Sequence, residues 1–216
     1  MRVLRLMLSF VFLFLVTKPP ATPVNPKQEM AAHMIWFLDS HGSRDAECTG
    51  TAIGPHAFMT AGHCNDSNEP DNLVSIDLSL KKFHLIAVNS DHRDHVIYLT
   101  DATFTNYVDV NERSAKDEEP VHMWGCGEAT FPPRELAGRV GKQDDKSDID
   151  AADDAHEYSL HVIPGDSGSA IYGDDGAIVG LVTYSHSSLF GLRHSAKGFG
   201  LDFSPQALLI ARTFEP

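Results

Sequence analysis

The chain is poor in cysteine, with three in 216 residues, which excludes a scaffold that uses disulfides in place of a core. Its apolar run over residues 6–16 is eleven residues long, short of the roughly 20 that a bilayer-spanning helix needs. Basic residues are scarce, 17 against 30 acids, for a formal charge of -13 at pH 7. A chain of that sign repels phosphate backbones and anionic headgroups, so no nucleic-acid or peripheral membrane partner is expected. No internal repeat is present. With 42% hydrophobic and 22% charged residues, collagen-like, coiled-coil and wholly disordered chains are excluded as well. What remains is one or two compact units large enough to bury a real core.

The N-terminal run does have a reading of its own. Arg2 and Arg5 precede it, and Thr17, Lys18 and a Pro-rich stretch follow, the pattern of a secretory signal. Cleavage near Ala21 or Thr22 sets residues 1–22 apart as a signal peptide. Its removal takes three basic residues and no acid, which predicts a still more acidic, secreted protein without a stable membrane partner. An uncleaved interfacial anchor is the alternative. Secretion permits disulfides, and Asn65-Asp66-Ser67 forms a glycosylation sequon usable in a eukaryotic source.

Downstream, short apolar or alternating runs are separated by turn residues. They cover 30–38, 49–53, 57–61, 73–80, 83–88 and 95–99, then 121–125, 158–163, 169–172, 177–184 and 198–203. So many short strands predict an all-β barrel or sandwich. One helix is expected at the end, where Ser204 can cap it, Pro205 suits its first turn and residues 207–210 supply the apolar stripe. Residues 111–119 and 142–157 are charged and aperiodic and read as solvated loops, the first joining two halves.

Two motifs carry chemistry. Thr60-Ala61-Gly62-His63-Cys64 follows Cys48-Thr49-Gly50; a histidine beside a cysteine is by itself an ordinary core pairing. Gly165-Asp166-Ser167-Gly168-Ser169-Ala170 sets a serine between glycines, whose missing Cβ atoms let backbone fold tightly around a hydroxyl and let a carbonyl approach amide N–H groups. Gly-x-Ser also begins the α/β-hydrolase elbow G-x-S-x-G, but that fold needs alternating strands and helices and a histidine after the serine. The strand-rich texture opposes it.

Together with the acid between them, these motifs resemble the chymotrypsin-like (trypsin-type) serine proteases, whose triad runs His, Asp, Ser. The resemblance extends over nearly the whole chain after residue 22. Asp94 precedes the apolar run 95–99, Gly125-Cys126-Gly127 looks like the turn that opens the second barrel, and residues 180–185 resemble the strand beside bound substrate. Gly168-Ser169-Ala170 after the serine is closer to the compact microbial, glutamyl-endopeptidase-like branch. The resemblance implies two six-stranded antiparallel Greek-key barrels with a C-terminal helix, the first over 23–115 with His63 and Asp94, the second over 116–216 with Ser167 and the helix. It implies Ser167 as nucleophile, His63 as base, Asp94 as its orienting acid, and the N–H groups of Gly165 and Ser167 as an oxyanion hole. It implies a Cys48–Cys64 disulfide, which leaves Cys126 over, either as a small buried residue or as an intermolecular partner. Polypeptide substrates, a monomer, and neither metal nor organic cofactor are expected.

The resemblance also fixes where alternatives stand. Asp91 and Asp101 flank Asp94 and are competing acids, and residues 91–95 are dense enough in His and Asp to bind zinc instead. His161 falls where trypsins carry the acid that receives Arg or Lys, while Val162 and Val182 replace the polar groups that select Glu. Cleavage after neutral, mostly apolar residues is therefore expected, with Thr183 and Ser185 bonding an extended substrate. A protonated His161 would favour Glu instead. Asp166 lacks its usual partner, since no Ile-Val-Gly-Gly motif is present; either an N-terminus near Val24 supplies the ammonium, or the site is held without zymogen activation, as in some microbial relatives. A catalytically silent homologue that serves as a binding module is the second reading of the whole chain.

Overall fold

The computed structural model describes residues 25–65, 73–91, 93–141, 155–187 and 194–216. The signal-like segment 1–22, Asp66 and Ser67 of the sequon, His92 and most of the charged stretch 142–157 lie outside these residues.

Six strands close the first barrel: β1 (Ala32–Leu38), β2 (Arg44–Gly54), β3 (Ala57–Ala61), β4 (Leu73–Ile76), β5 (Lys82–Ser90) and β6 (His95–Thr100), paired in the order β1-β2-β3-β6-β5-β4. The second sheet holds β7 (Pro120–Gly125), β8 (Arg134–Arg139), β9 (His156–Tyr158), β10 (Ala170–Gly173), β11 (Ile178–Ser187) and β12 (His194–Phe199), in the order β8-β7-β10-β11-β12-β9. Its two edges meet through a bridge between Val140 and Tyr158, with Gly141 N–H to Glu157 O at 2.6 Å and Ser159 N–H to Arg139 O at 2.9 Å. All named strand pairs are antiparallel. The all-β, two-barrel expectation therefore holds.

Several boundaries differ from the sequence reading. Met30 and Ala31 end a short helix, α1 (Pro26–Ala31), which Asn25 caps through Lys27 N–H at 3.1 Å. The run 73–80 stops at Ile76, because Asp77 turns to φ 54° and accepts the Met34 N–H at 3.0 Å. β8 was not anticipated: its sequence Arg-Glu-Leu-Ala-Gly-Arg buries every second residue only partly, so its apolar signal is weak. The C-terminal helix, α2 (Pro205–Thr213), begins at Ser204, whose hydroxyl accepts the Ala207 N–H at 3.1 Å.

One core cluster fills the first barrel around Ile35, Phe58, Met59 and Ile97 and continues through Trp124, Tyr172 and Leu181 into the second. Another, with Met123, Tyr158, Leu160 and Ile171, lies inside the second sheet. The site lies on the seam that the first cluster crosses.

Candidate active site

His63 sits in a 3-10 turn (Gly62–Asn65) that leaves β3. Asp94, just before β6, accepts the His63 backbone N–H on Oδ1 at 2.8 Å and the ring Nδ1–H on Oδ2 at 2.7 Å. One carboxylate thus fixes both the position and the tautomer of the imidazole. Asp94 is held at φ 63°, a left-handed conformation uncommon for a non-glycine residue and often found at functional sites. Gly62 permits the approach: its N–H donates to Asp94 O at 2.7 Å, and a Cβ on it would stand 2.7 Å from Asp94 Oδ1. The disulfide Cys48–Cys64 ties this turn back to β2.

Among the described residues four histidines meet an aspartate: His33 with Asp77, His63 with Asp94, His84 with Asp101 and His95 with Asp91. His95 and Asp91 are 0% and 1% exposed and out of a substrate's reach. His33 Nε2 is buried too, and His84 stands in solvent on β5. The His63 ring is 36% exposed, beside the serine loop. The competing acids Asp91 and Asp101 thus serve other histidines.

The serine loop is gripped by the first barrel. Thr49 N–H donates to Ser167 O at 2.9 Å, and Thr49 Oγ1 donates to Gly165 O at 2.8 Å while accepting the Cys126 N–H at 2.9 Å. Two residues on, Thr51 Oγ1 accepts the Ala170 N–H at 3.3 Å. Gly168 turns at φ 86°, where a Cβ would stand 2.0 Å from Thr60 Oγ1 and 2.8 Å from Ala61 N. The residue after Ser167 therefore packs on the end of β3, two residues before His63, and only glycine fits there.

Asp166 is 0% exposed. Its Oδ1 accepts the Gly127 N–H at 2.9 Å, its Oδ2 accepts the Ile163 N–H at 2.9 Å, and an Arg134 N–H donates to the same Oδ2. Burial pushes its carboxyl up, opposed by the Ile163 amide, Arg134 and the Gly127 amide. The partner that the sequence reading found missing is thus an internal guanidinium from β8. Among the described residues, Asp166 and Gly168 N–H donate to Ile163 O and Val182 O, whereas the Gly165 and Ser167 N–H groups have no protein acceptor. Two neighbouring free donors beside a serine can bind a developing oxyanion.

The substrate side is less compact. Val162 and Val182 are buried together in the second core, Thr183 is 1% exposed, and His161 stands at the surface. Thr183 Oγ1 donates to backbone carbonyls of Leu181 and Lys197 at 3.4 and 3.3 Å. Ser185 lies in β11 opposite Ala196. Cys126 is buried and unpaired, with its thiol pushed up to about 12 by burial.

Residues 48–181 match the trypsin-like peptidase domain. The chain belongs to the trypsin-like peptidase family. Solved structures share the fold: the Rv3671c protease of M. tuberculosis in its active form has TM-score 0.65 and 19% identity, over 92% of this chain and 89% of that one. Its inactive form gives 0.62 and 19%, over 83% and 87%. An inactivated protease paralogue of the scabies mite, SMIPP-S-D1, gives 0.62 and 14%, over 80% and 88%. No curated protein matches the sequence. In this trypsin-like chain, Glu47, Thr49, Thr51 and Arg134 are the site residues that sequence reasoning missed. The first three alternate along β2, a period-2 polar row on a strand otherwise read as core.

Proposed function

We propose that the chain is a secreted serine endopeptidase that acts as a monomer on polypeptides through an acyl-enzyme. The observation that carries this reading is the two-point hold of Asp94 on a part-exposed His63, at the seam where Thr49 fixes the Ser167 loop. Ser167 Oγ attacks the peptide carbonyl carbon as His63 Nε2 takes its proton. The carbonyl oxygen becomes an oxyanion between the Gly165 and Ser167 N–H groups, donors typically worth about 3 kcal/mol each. The C–N bond then breaks, His63 protonates the departing amine, and water repeats the sequence to release the acyl group. This chemistry uses no metal or organic cofactor. Cleavage follows neutral residues, because His161 stands where a carboxylate would have to receive a basic side chain.

The second reading, a silent homologue, is favoured by one observation: the same fold occurs in the inactivated mite paralogue, so fold alone does not imply turnover. A fluorophosphonate probe separates them. The serine-endopeptidase reading expects covalent labelling that maps to Ser167 and is lost in Ser167→Ala; a folded protein that does not label is the silent homologue.

A further inference from the structure

The side chain of Glu47 lies beside Thr49 on the face of β2 that grips the serine loop. Its Oε1 accepts the Ala129 N–H at 2.6 Å, and a Cβ on Gly165 would stand 2.8 Å from the same oxygen. Oε2 takes no hydrogen bond among the described residues, and the side chain is half-buried. A carboxylate is thus held against Gly165, two residues before the serine.

The topology says what would pass over it. β10 pairs with β11 only as far as Ala170 opposite Leu181, and the last link on that edge is between Val182 and the serine loop, Gly168 N–H to Val182 O at 2.7 Å and Val182 N–H to Ser169 O at 3.0 Å. Among the described residues no strand pairs with that edge from Thr183 onward, which leaves it for an added strand. On its other side the loop is bonded to Thr49 of β2. Residues 165–169 are thus sandwiched between β11 and β2. A polypeptide whose acyl half lies along β11 and which crosses Ser167 continues toward β2, where Glu47 lies against Gly165.

We propose that Glu47 is a specificity-determining residue for the leaving-group half of the substrate, selecting lysine or arginine within the first two residues after the scissile bond. The proposal rests on the serine-endopeptidase reading above. The neighbouring charges leave Glu47 available for this. Asp166, which repels it, is paired with Arg134, and Arg44, which attracts it, carries its guanidinium over the Trp36 ring at 4.6 Å. Burial raises the Glu47 carboxyl, offset first by the Ala129 amide, so selectivity fades as acid protonates it.

The test uses peptide pairs that differ only in Lys against Gln at each of the two positions after the cleaved bond. The purified protein should show a kcat/KM ratio of about fivefold in favour of Lys, the size of a half-exposed ion pair. In Glu47→Gln, whose amide oxygen can still accept the Ala129 N–H, the ratio should fall to about one, whatever happens to the absolute rates. A residue that merely braced the loop would change both substrates alike and leave the ratio intact. In case the variant does not fold, the wild-type ratio should itself shrink as salt rises. A wild-type ratio of one, a ratio untouched by Glu47→Gln, or a ratio indifferent to salt overturns the proposal. Fluorophosphonate labelling in the same samples separates the two levels: labelling without a Lys preference overturns Glu47 alone, and absence of labelling overturns the endopeptidase reading and Glu47 with it.

Discussion

Two aspartates three residues apart illustrate how environment divides identical side chains. Asp94 holds a part-exposed histidine, and Asp91 holds a buried one: Oδ1 accepts the Arg93 and His95 N–H groups at 2.8 and 3.0 Å, and Oδ2 accepts His95 Nδ1–H at 2.7 Å and Asp202 N–H at 3.2 Å. An amide at either site puts an N–H₂ against a donor, with opposite consequences. Asp94→Asn should leave the thermal transition nearly in place and lower turnover about 10⁴-fold through a wrongly held imidazole. Asp91→Asn should keep the activity of the folded fraction and lose about 3 kcal/mol of stability; chemical denaturation and active-site titration measure the two separately. The pH dependence follows. Burial opposes ionisation of Asp91, but the His95 ring and the Arg93 and His95 amides outweigh it and hold the carboxyl below its ordinary range. A carboxyl depressed by folding stabilises above its unfolded pKa, and that stability is lost as pH falls through the folded value. The stability that Asp91 contributes should therefore be present at neutral pH and disappear below about pH 4, with a shallower acid limb in Asp91→Asn. An acid limb identical in the two proteins would dissociate Asp91 from acid unfolding.

Among the elements, β8 matters beyond its weak sequence signal, because it delivers Arg134 to a carboxylate with no solvent exposure. Arg134→Met should strip Asp166 of its cation, destabilise the fold by about 3–5 kcal/mol and abolish fluorophosphonate labelling, with Arg134→Lys recovering part of both. A protein that keeps residues 1–22 should label as well as one cleaved after them, since the cation is internal; loss of labelling when they are kept would point to an N-terminal ammonium instead. Reduction of Cys48–Cys64, which closes a short loop between β2 and the His63 turn, should cost about 3 kcal/mol. The same elements show what was legible. Strongly apolar β3, β6 and β7 were readable to within one residue of their observed ends, because burial on both faces leaves a continuous run. β8 has one partly buried face, and α1 owes its existence to a capping asparagine and a proline over a single turn, signals too short to outweigh the apolar run beside them. At the site, His63, Asp94 and the serine loop were visible as local motifs. Arg134 and the Glu47-Thr49-Thr51 row were not, because their partners lie 32 to 119 residues away and nothing local marks such pairs.

The described part of the molecule is clasped by its first and last helices. α1 precedes the first barrel yet bonds the second: Gln28, 3% exposed, donates to Gly176 O at 3.2 Å, and its Oε1 meets His122 Nε2 at 3.1 Å. α2 follows the second barrel yet packs on β2, β3 and β6 of the first, with Ala211 0% exposed and its carbonyl against Gly54. With a core cluster also crossing the seam, neither barrel can lose its packing without uncovering the other, so the described parts should unfold as one cooperative unit. The protein's two tryptophans make this measurable, because Trp36 lies in β1 and Trp124 in β7. In Trp36→Phe and Trp124→Phe, the remaining tryptophan should report one common denaturation midpoint after correction for the substitution. Ala211→Asp places an unpaired charge at the interface of α2 with the first barrel, at a cost of several kcal/mol, equivalent to about 10 °C in a chain of this size. Both reporters should shift by that amount together, although Trp124 belongs to the other barrel. A shift confined to Trp36 would show that the barrels unfold separately and that the clasp does not couple them.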